Sequence, residues 1–328
     1  MRYILVSLAA LFLFTACSTK EYFEPEDTKD ELNVKQESLP SSIKSMNRVG
    51  ATLEDGEVIT KFGLSDFQLP ENFNFVNLTA DGKVIATNNK DKILIGKEEF
   101  PTKNVVIAAS LKDNKLALIY SDNSIELIDY ATKKTLFKEY LTASLANDTR
   151  ITNPYFMGNL VLYPTLNGKV IIVSLLSNES VKNISVDPKG QFNNIIFLEV
   201  IEKSQTLITA TANKIVSISP NEILSKEYEI RDIVLNDENV YIATIDGQII
   251  KLTSSLEEVA KKKYRYSKIH ALAFTDALYA IESQGYIIKI DENFVNDEIH
   301  DFDFNNEERM IVLENKVYFD SDFITLPK

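Results

Sequence analysis

The sequence predicts an all-β chain closed into an eight-bladed β-propeller of four-stranded antiparallel blades, with seven blades as the alternative. Three observations lead there. The run from Val240 to Lys251 aligns without a gap on Val49 to Thr60, on Val161 to Ile172 and on Leu278 to Lys289. In each copy a turn pair falls at the same offset between two apolar runs: Asp246-Gly247, Asp55-Gly56, Asn167-Gly168 and Gln284-Gly285. No stretch carries a sustained helical period. One such hairpin cannot bury its own apolar face, so the units must stack on one another.

The chain opens on a leader rather than on structure. Arg2 precedes an apolar stretch from Tyr3 to Phe14, too short to span a bilayer as a helix and closed by small residues. The junction Phe14, Thr15, Ala16, Cys17, Ser18 resembles the bacterial lipobox, which implies a signal peptide over residues 1 to 16 and lipidation of Cys17. Cys17 is the only cysteine, so no intramolecular disulfide can form. Two or more acyl chains would give durable attachment, at roughly 0.8 kcal/mol per buried methylene. Ser18 after the cysteine resembles lipoproteins sorted to the outer membrane, which implies an outer-membrane, periplasm-facing location.

Residues 17 to 45 are polar, with Glu21, Glu24, Glu26, Asp27, Asp30, Glu31 and Glu37 broken by Pro25 and Pro40. Such composition offers little apolar surface to offset ordering entropy, so the segment is expected to be a flexible acidic tether. The propeller is expected over residues 46 to 328. Loss of residues 1 to 16 removes one charge, Arg2, and takes the formal net charge from -13 to -14. That balance argues against nucleic acid, whose phosphates demand a basic footprint.

Within the repeats, second strands start near Val49, Val84, Leu116, Val161, Leu207, Val240, Leu278 and Met310, about 37 residues apart on average. That period holds four short strands and leaves no room for a crossover helix. One unit reads as an inner strand at Ile233 to Leu235, a hairpin of Val240 to Ile245 with Gln248 to Thr253, and a charged outer strand from Glu258 to Tyr266. The next unit starts at Ile269 to Phe274. The same cycle recurs at Val105 to Ile107, Leu116 to Tyr120, Ile125 to Asp129 and Leu136 to Leu141. Eight hairpins favour eight blades; seven stays open because the first unit is poorly marked before Val49.

Few side chains suggest chemistry. The basic run Lys261, Lys262, Lys263, Arg265, Lys268 reads as a solvated outer strand whose lysines discourage edge pairing, with a docking patch for an acidic partner as the sharper reading. The acidic stretch Asp291, Glu292, Asp297, Glu298, Asp301, Asp303, Glu307, Glu308 lacks the spacing and glycine of a calcium loop. His270, in an apolar run, is expected to be structural; His300, among acids, could pair with a carboxylate. Neither has a second ligand at zinc spacing. No catalytic, cofactor-binding or metal-binding residue is expected.

The segment Asp129, Tyr130, Ala131, Thr132, Lys133 ending at Phe137 resembles the quinoprotein-type propeller repeat, with Lys133 where that family prefers glycine and Phe137 where it prefers tryptophan. The chain has no tryptophan, so blades must dock through Phe and Tyr. Joined to the leader and the acidic charge, the repeats resemble the BamB-like propeller lipoproteins of outer-membrane assembly. That resemblance implies a monomeric, non-enzymatic scaffold that binds the barrel-assembly protein BamA or unfolded outer-membrane proteins. A surface-displayed lipoprotein that binds a ligand or host molecule is the alternative. A quinone-dependent dehydrogenase is the second, weakened by the missing tryptophan on which that cofactor stacks.

Overall fold

The computed structural model describes residues 21–30, 32–144, 147–190, 192–302, 304 and 309–328. Eight four-stranded antiparallel sheets are arranged as blades around an axis, and the described residues contain no helix. Blade 1 is β2 (Ile43–Asn47), β3 (Gly50–Leu53), β4 (Glu57–Thr60) and β5 (Gly63–Gln68). Blade 2 is β6 (Asn74–Leu78), β7 (Val84–Thr87), β8 (Lys92–Ile95) and β9 (Glu98–Pro101). Blade 3 is β10 (Val106–Lys112), β11 (Lys115–Tyr120), β12 (Ser124–Asp129) and β13 (Lys134–Tyr140). Blade 4 is β14 (Tyr155–Met157), β15 (Leu160–Pro164), β16 (Lys169–Ser174) and β17 (Glu179–Ser185). Blade 5 is β18 (Phe197–Ile201), β19 (Thr206–Ala210), β20 (Lys214–Ile218) and β21 (Ile223–Glu227). Blade 6 is β22 (Ile230–Asn236), β23 (Asn239–Thr244), β24 (Gln248–Thr253) and β25 (Glu258–Lys263). Blade 7 is β26 (Ile269–Phe274), β27 (Leu278–Glu282), β28 (Tyr286–Ile290) and β29 (Asp297–Asp301).

Blade 8 is built from both ends of the chain. β30 (Met310–Leu313), β31 (Lys316–Phe319) and β32 (Asp322–Thr325) are its three inner strands, and β1 (Gln36–Ser38) adds the outermost one. Gln36 pairs with Ile324 and Ser38 with Asp322, and the Ser38 hydroxyl donates to the Asp322 carboxylate at 2.8 Å. The eighth unit therefore differs from the sequence expectation in phase. Met310 begins the first strand of its blade, and the second strand is β31. Only three strands remain in the C-terminal unit because the fourth comes from the N-terminus.

The same strand moves the domain boundary. Among the described residues from 21 to 45, several of the stretch expected as a flexible tether are held against the ring. Phe23 is buried between Tyr264 and Tyr286, edge-on to both at 6.2 and 5.4 Å. The Lys29 amide donates to the Ile299 carbonyl at 2.8 Å, and Leu32 and Val34 pack against the junction of blades 7 and 8. Leu39 is buried at the junction of blades 8 and 1. Composition gave too much weight to the carboxylates here and too little to four spaced apolar side chains.

Burial explains why second and third strands read as solid apolar runs. Each blade is covered on both faces, so β11 and β23 bury nearly every residue, whereas the outer β25 alternates in burial and carries three lysines. The core divides into eight apolar clusters, one at each blade junction, from Val58 and Phe75 between blades 1 and 2 to Ile43 and Tyr318 between blades 8 and 1. Each fully buried large side chain there contributes about 1.5–3 kcal/mol. Tyrosine takes the place of the missing tryptophan. Tyr120, Tyr163, Tyr241, Tyr279 and Tyr318 are fully buried, and Tyr163 of blade 4 donates its hydroxyl to the Glu126 carbonyl of blade 3 at 3.0 Å.

Two of the recurring hairpin turns share a cause. Thr165 and Thr244 stand two residues before Asn167 and Asp246, accept from the amides of Lys169 and Gln248, and donate to the Asn167 and Asp246 side chains. Gly168 and Gly247 follow at φ of 72° and 81°. A Cβ on Gly247 would lie 2.3 Å from the Tyr264 carbonyl oxygen, so glycine is required by both backbone and space.

Candidate functional site

The inner strands define the axis of the ring. In five blades the first strand carries a register shift near its start: between Ile43 and Ser45, Phe75 and Asn77, Val106 and Ala108, Ile230 and Asp232, and Ile269 and Ala271. A bulge leaves one residue without a ladder partner and frees backbone groups beside it. In blades 1, 6 and 7 that extra residue is Lys44, Arg231 or His270, and all three line an axial channel of about 1360 Å³.

Carbonyls of the inner strands, some of them beside these bulges, are taken by side chains from neighbouring blades. Arg231 Nε donates to the Ile269 carbonyl at 3.2 Å, Arg309 Nη1 to Ile43 at 2.9 Å, and Asn47 Nδ2 to Phe75 and Val76 at 3.0 Å each. Asn77 Nδ2 reaches the Ala109 carbonyl at 2.9 Å, and His270 Nε2 lies 3.1 Å from the Met310 carbonyl. The Leu272 amide in turn donates to Asp232 at 2.8 Å. The inner ends of the blades are thus stapled sideways around much of the ring.

Two more arginines reach further. Arg48, on the turn after β2, reaches blade 6, donating to the Ile233 carbonyl at 2.7 Å and pairing with Asp232 at 3.1 Å. Its guanidinium stands 5.1 Å over the Phe197 ring. Arg150 pairs with Asp148 and donates to the Ile230 carbonyl at 3.1 Å. Burial works to raise the Asp148 carboxyl, but hydrogen bonds from Arg150 hold it below the ordinary carboxylate range. Glu199 keeps contact with solvent in the channel yet is crowded by protein; that desolvation raises its carboxyl, against the pull of Arg48. Burial lowers His270, with Arg231 adding to the effect, so the imidazole is held neutral.

Sequence reasoning missed this set. The chain has six arginines, and Arg48, Arg150, Arg231 and Arg309 all line the channel while lysines dominate the outer strands. That partition was the available signal: guanidinium offers several fixed donors for carbonyls, which ammonium cannot match. A second depression of about 740 Å³ lies on one face between blades 7, 8 and 1, bordered by Phe62, whose side chain is 78% exposed.

The residues singled out from sequence are not brought together. Cys17 lies outside the described residues. His270 is in the channel, whereas His300 is on the outer strand β29, with Nδ1 2.9 Å from the Asp30 carbonyl and Nε2 3.7 Å from Glu298. The basic run forms β25 and the loop after it: Lys261, Lys262 and Lys263 pair with Glu258, Asp297 and Asp246. Asp291 closes a turn by accepting from the Val295 and Asn296 amides, and Asp303, Glu307 and Glu308 lie outside the described residues. Among the described residues, no three His, Cys, Asp or Glu side chains gather as a metal cluster. In the turn after β12, Thr132 donates through backbone and side chain to Asp129, bringing that carboxyl down to about 2. Lys133 beside it has a φ of 59°.

No family model matches the chain. The plasminogen-binding protein PgbB of Helicobacter pylori strain J99 is 26% identical over 383 aligned positions, which take in 98% of this chain and 70% of the relative. The same protein from strain 26695 is 27% identical with the same coverage. Among solved structures, BamB from Moraxella catarrhalis superposes with a TM-score of 0.69 over 90% of this chain and all of that one, at 12% identity. Saccharomyces cerevisiae Sqt1 gives 0.61 over 92% of this chain and 99% of the other, also at 12% identity. These structures share the propeller fold.

Proposed function

We propose that this chain is a non-enzymatic, lipid-anchored propeller of the bacterial envelope that works by binding other proteins. The observation that carries the reading is how the axial channel uses its polar groups. Arg48, Arg150, Arg231, Arg309, Asn47 and His270 are engaged with blade carbonyls, the work of a ring that must stay rigid while its faces bind. The curated relatives carry the name of a protein-binding activity over nearly the whole of this chain, which supports the same class.

Two partner classes follow. Assembly of outer-membrane β-barrel proteins is supported by the superposition on all of BamB; the outer edges of blades 1 to 6 would suit extended clients that add as a strand. Affinity capture of the intact lipoprotein from gently solubilised membranes is expected to recover the barrel-assembly protein, and its absence at native expression overturns that role. Capture of an extracellular protein such as plasminogen is supported by the sequence relationship to PgbB. Protease shaving of whole cells, followed by binding of the purified chain to immobilised plasminogen, tests it. Protection from the protease together with no binding removes this second role.

A further inference from the structure

We infer that the docked N-terminal strap fixes which face of the ring meets the membrane: the face carrying the turn at Gln284 and the loop from Tyr264 to Lys268. This rests on the reading of Cys17 as the acylated residue. In each blade the turn between second and third strands and the loop leading into the next blade lie on one face, because successive strands are antiparallel. The Gln284 turn of blade 7 and the loop between blades 6 and 7 therefore share a face. Phe23 is held at that place. Its amide donates to Gln284 Oε1 at 3.0 Å, Gln284 Nε2 donates to the Tyr266 carbonyl at 3.2 Å, and the ring is buried against Tyr264 and Tyr286.

Only six peptide steps separate Cys17 from Phe23, a reach of roughly 20 Å at full extension. A free segment from Cys17 to residue 45 would reach on the order of 100 Å and impose no orientation. Further along, the Lys29 amide bonded to Ile299 and β1 paired with β32 keep the strap from peeling away as a unit. The partner is the bilayer surface itself. Arg265 and Lys268 are exposed beside the exit point and carry no ion pair among the described residues, while Lys261, Lys262 and Lys263 of the same run are paired. They present cations to anionic headgroups.

The test uses the acylated full chain in phosphatidylethanolamine–phosphatidylglycerol vesicles that carry a headgroup quencher. Single cysteines at Arg265→Cys and, on the opposite face, Glu238→Cys receive the fluorophore; an acylated Cys17 leaves no competing thiol. Quenching is expected at position 265 and absent at 238. A Gly-Ser spacer of about 12 residues inserted after Thr19 leaves every strap contact in place and is expected to abolish the difference. Phe23→Ala is expected to reduce it. Equal quenching at both positions, or a difference that survives the spacer, overturns the inference. A chain that fails to float with the vesicles and whose N-terminal peptide has an unmodified mass overturns the anchor reading instead, and the inference with it.

Discussion

Arg309 donates from Nη1 to the carbonyl oxygen of Ile43 across 2.9 Å, joining the start of the last blade's inner strand to the inner strand of the first. This contact and the β1–β32 pairing close the ring at the same seam from its inner and outer edges. A hydrogen bond from a charged donor is worth about 1.5–3 kcal/mol. Arg309→Ala is expected to lower the unfolding free energy by about 1.5 kcal/mol, the low end, because the side chain is solvent-accessible. Arg309→Lys should recover part of it. Denaturant midpoints with unchanged m-values check both.

The two turn glycines Gly247 and Gly82 separate backbone strain from steric clash. Both have positive φ, 81° and 82°, yet a Cβ on Gly82 meets nothing within 4 Å, whereas one on Gly247 meets the Tyr264 carbonyl at 2.3 Å. Gly82→Ala is expected to cost about 1–2 kcal/mol, the penalty of the left-handed conformation alone. Gly247→Ala should cost clearly more, and thermal denaturation of the pair measures the excess.

Lys133 occupies a left-handed position, at φ of 59°. Its ammonium pairs with Glu98 at 2.6 Å and stands over the rings of Tyr130 and Phe100 at 4.5 and 4.7 Å, so the side chain joins blades 3 and 2. Lys133→Ala loses those contacts and keeps the strain; Lys133→Gly loses both. The alanine variant is expected to be the less stable of the two by about 1 kcal/mol. Equal stabilities would show that the backbone there is unstrained.

Glu126 gives an acid-sensitive contribution. Its buried carboxylate accepts from Tyr120 at 2.7 Å, Thr135 at 2.6 Å and Lys138 at 3.1 Å. Burial opposes ionisation, but these hydrogen bonds win and place the folded carboxyl below its usual 4.5. The folded state therefore binds the proton less readily than the unfolded chain. Stability from this group is present above about pH 4.5 and lost as pH falls through the lowered folded value. Glu126→Ala is expected to cost about 3–5 kcal/mol at neutral pH, by leaving the Lys138 ammonium and the Tyr120 hydroxyl uncompensated, and to flatten the acid limb. Urea titrations across that range decide it.

His270 has the same sign in a higher window. Its imidazole is held neutral by burial, so its folded value lies below 6.5 while the unfolded chain protonates normally. Stability is full above about pH 6.5 and falls as pH drops from there through the folded value. His270→Gln should keep a hydrogen-bonding side chain near Met310 and remove the stability slope between neutral and mildly acidic pH. An unchanged slope would rule out His270 as its source.

The ring was legible wherever a blade repeats. Asp-Gly and Asn-Gly turns between apolar runs located hairpins such as β23–β24 and β15–β16, because a positive-φ turn and two covered strands leave a local signature. β1 was hidden for the opposite reason. Gln36, Glu37 and Ser38 are exposed, carry no apolar period, and pair with residues almost the full chain away. The phase error at Met310 follows from that omission. Phe23 was masked by the carboxylates around it, since composition averages over a segment while docking depends on one ring. The channel arginines occupy a bulge, a turn and loops, where neither strand nor helix periodicity applies, and their partners include main-chain carbonyls that sequence does not display.

The pairing of β1 with β32 also constrains how the molecule can come into being. β1 is among the first structured segments to be synthesised and its partner among the last, so every shorter nascent chain is an open arc with unsatisfied edges at both ends. Completion of blade 8 consequently waits for β32. Loss of β32 would spare seven blades in sequence yet remove the strand on which β1 docks.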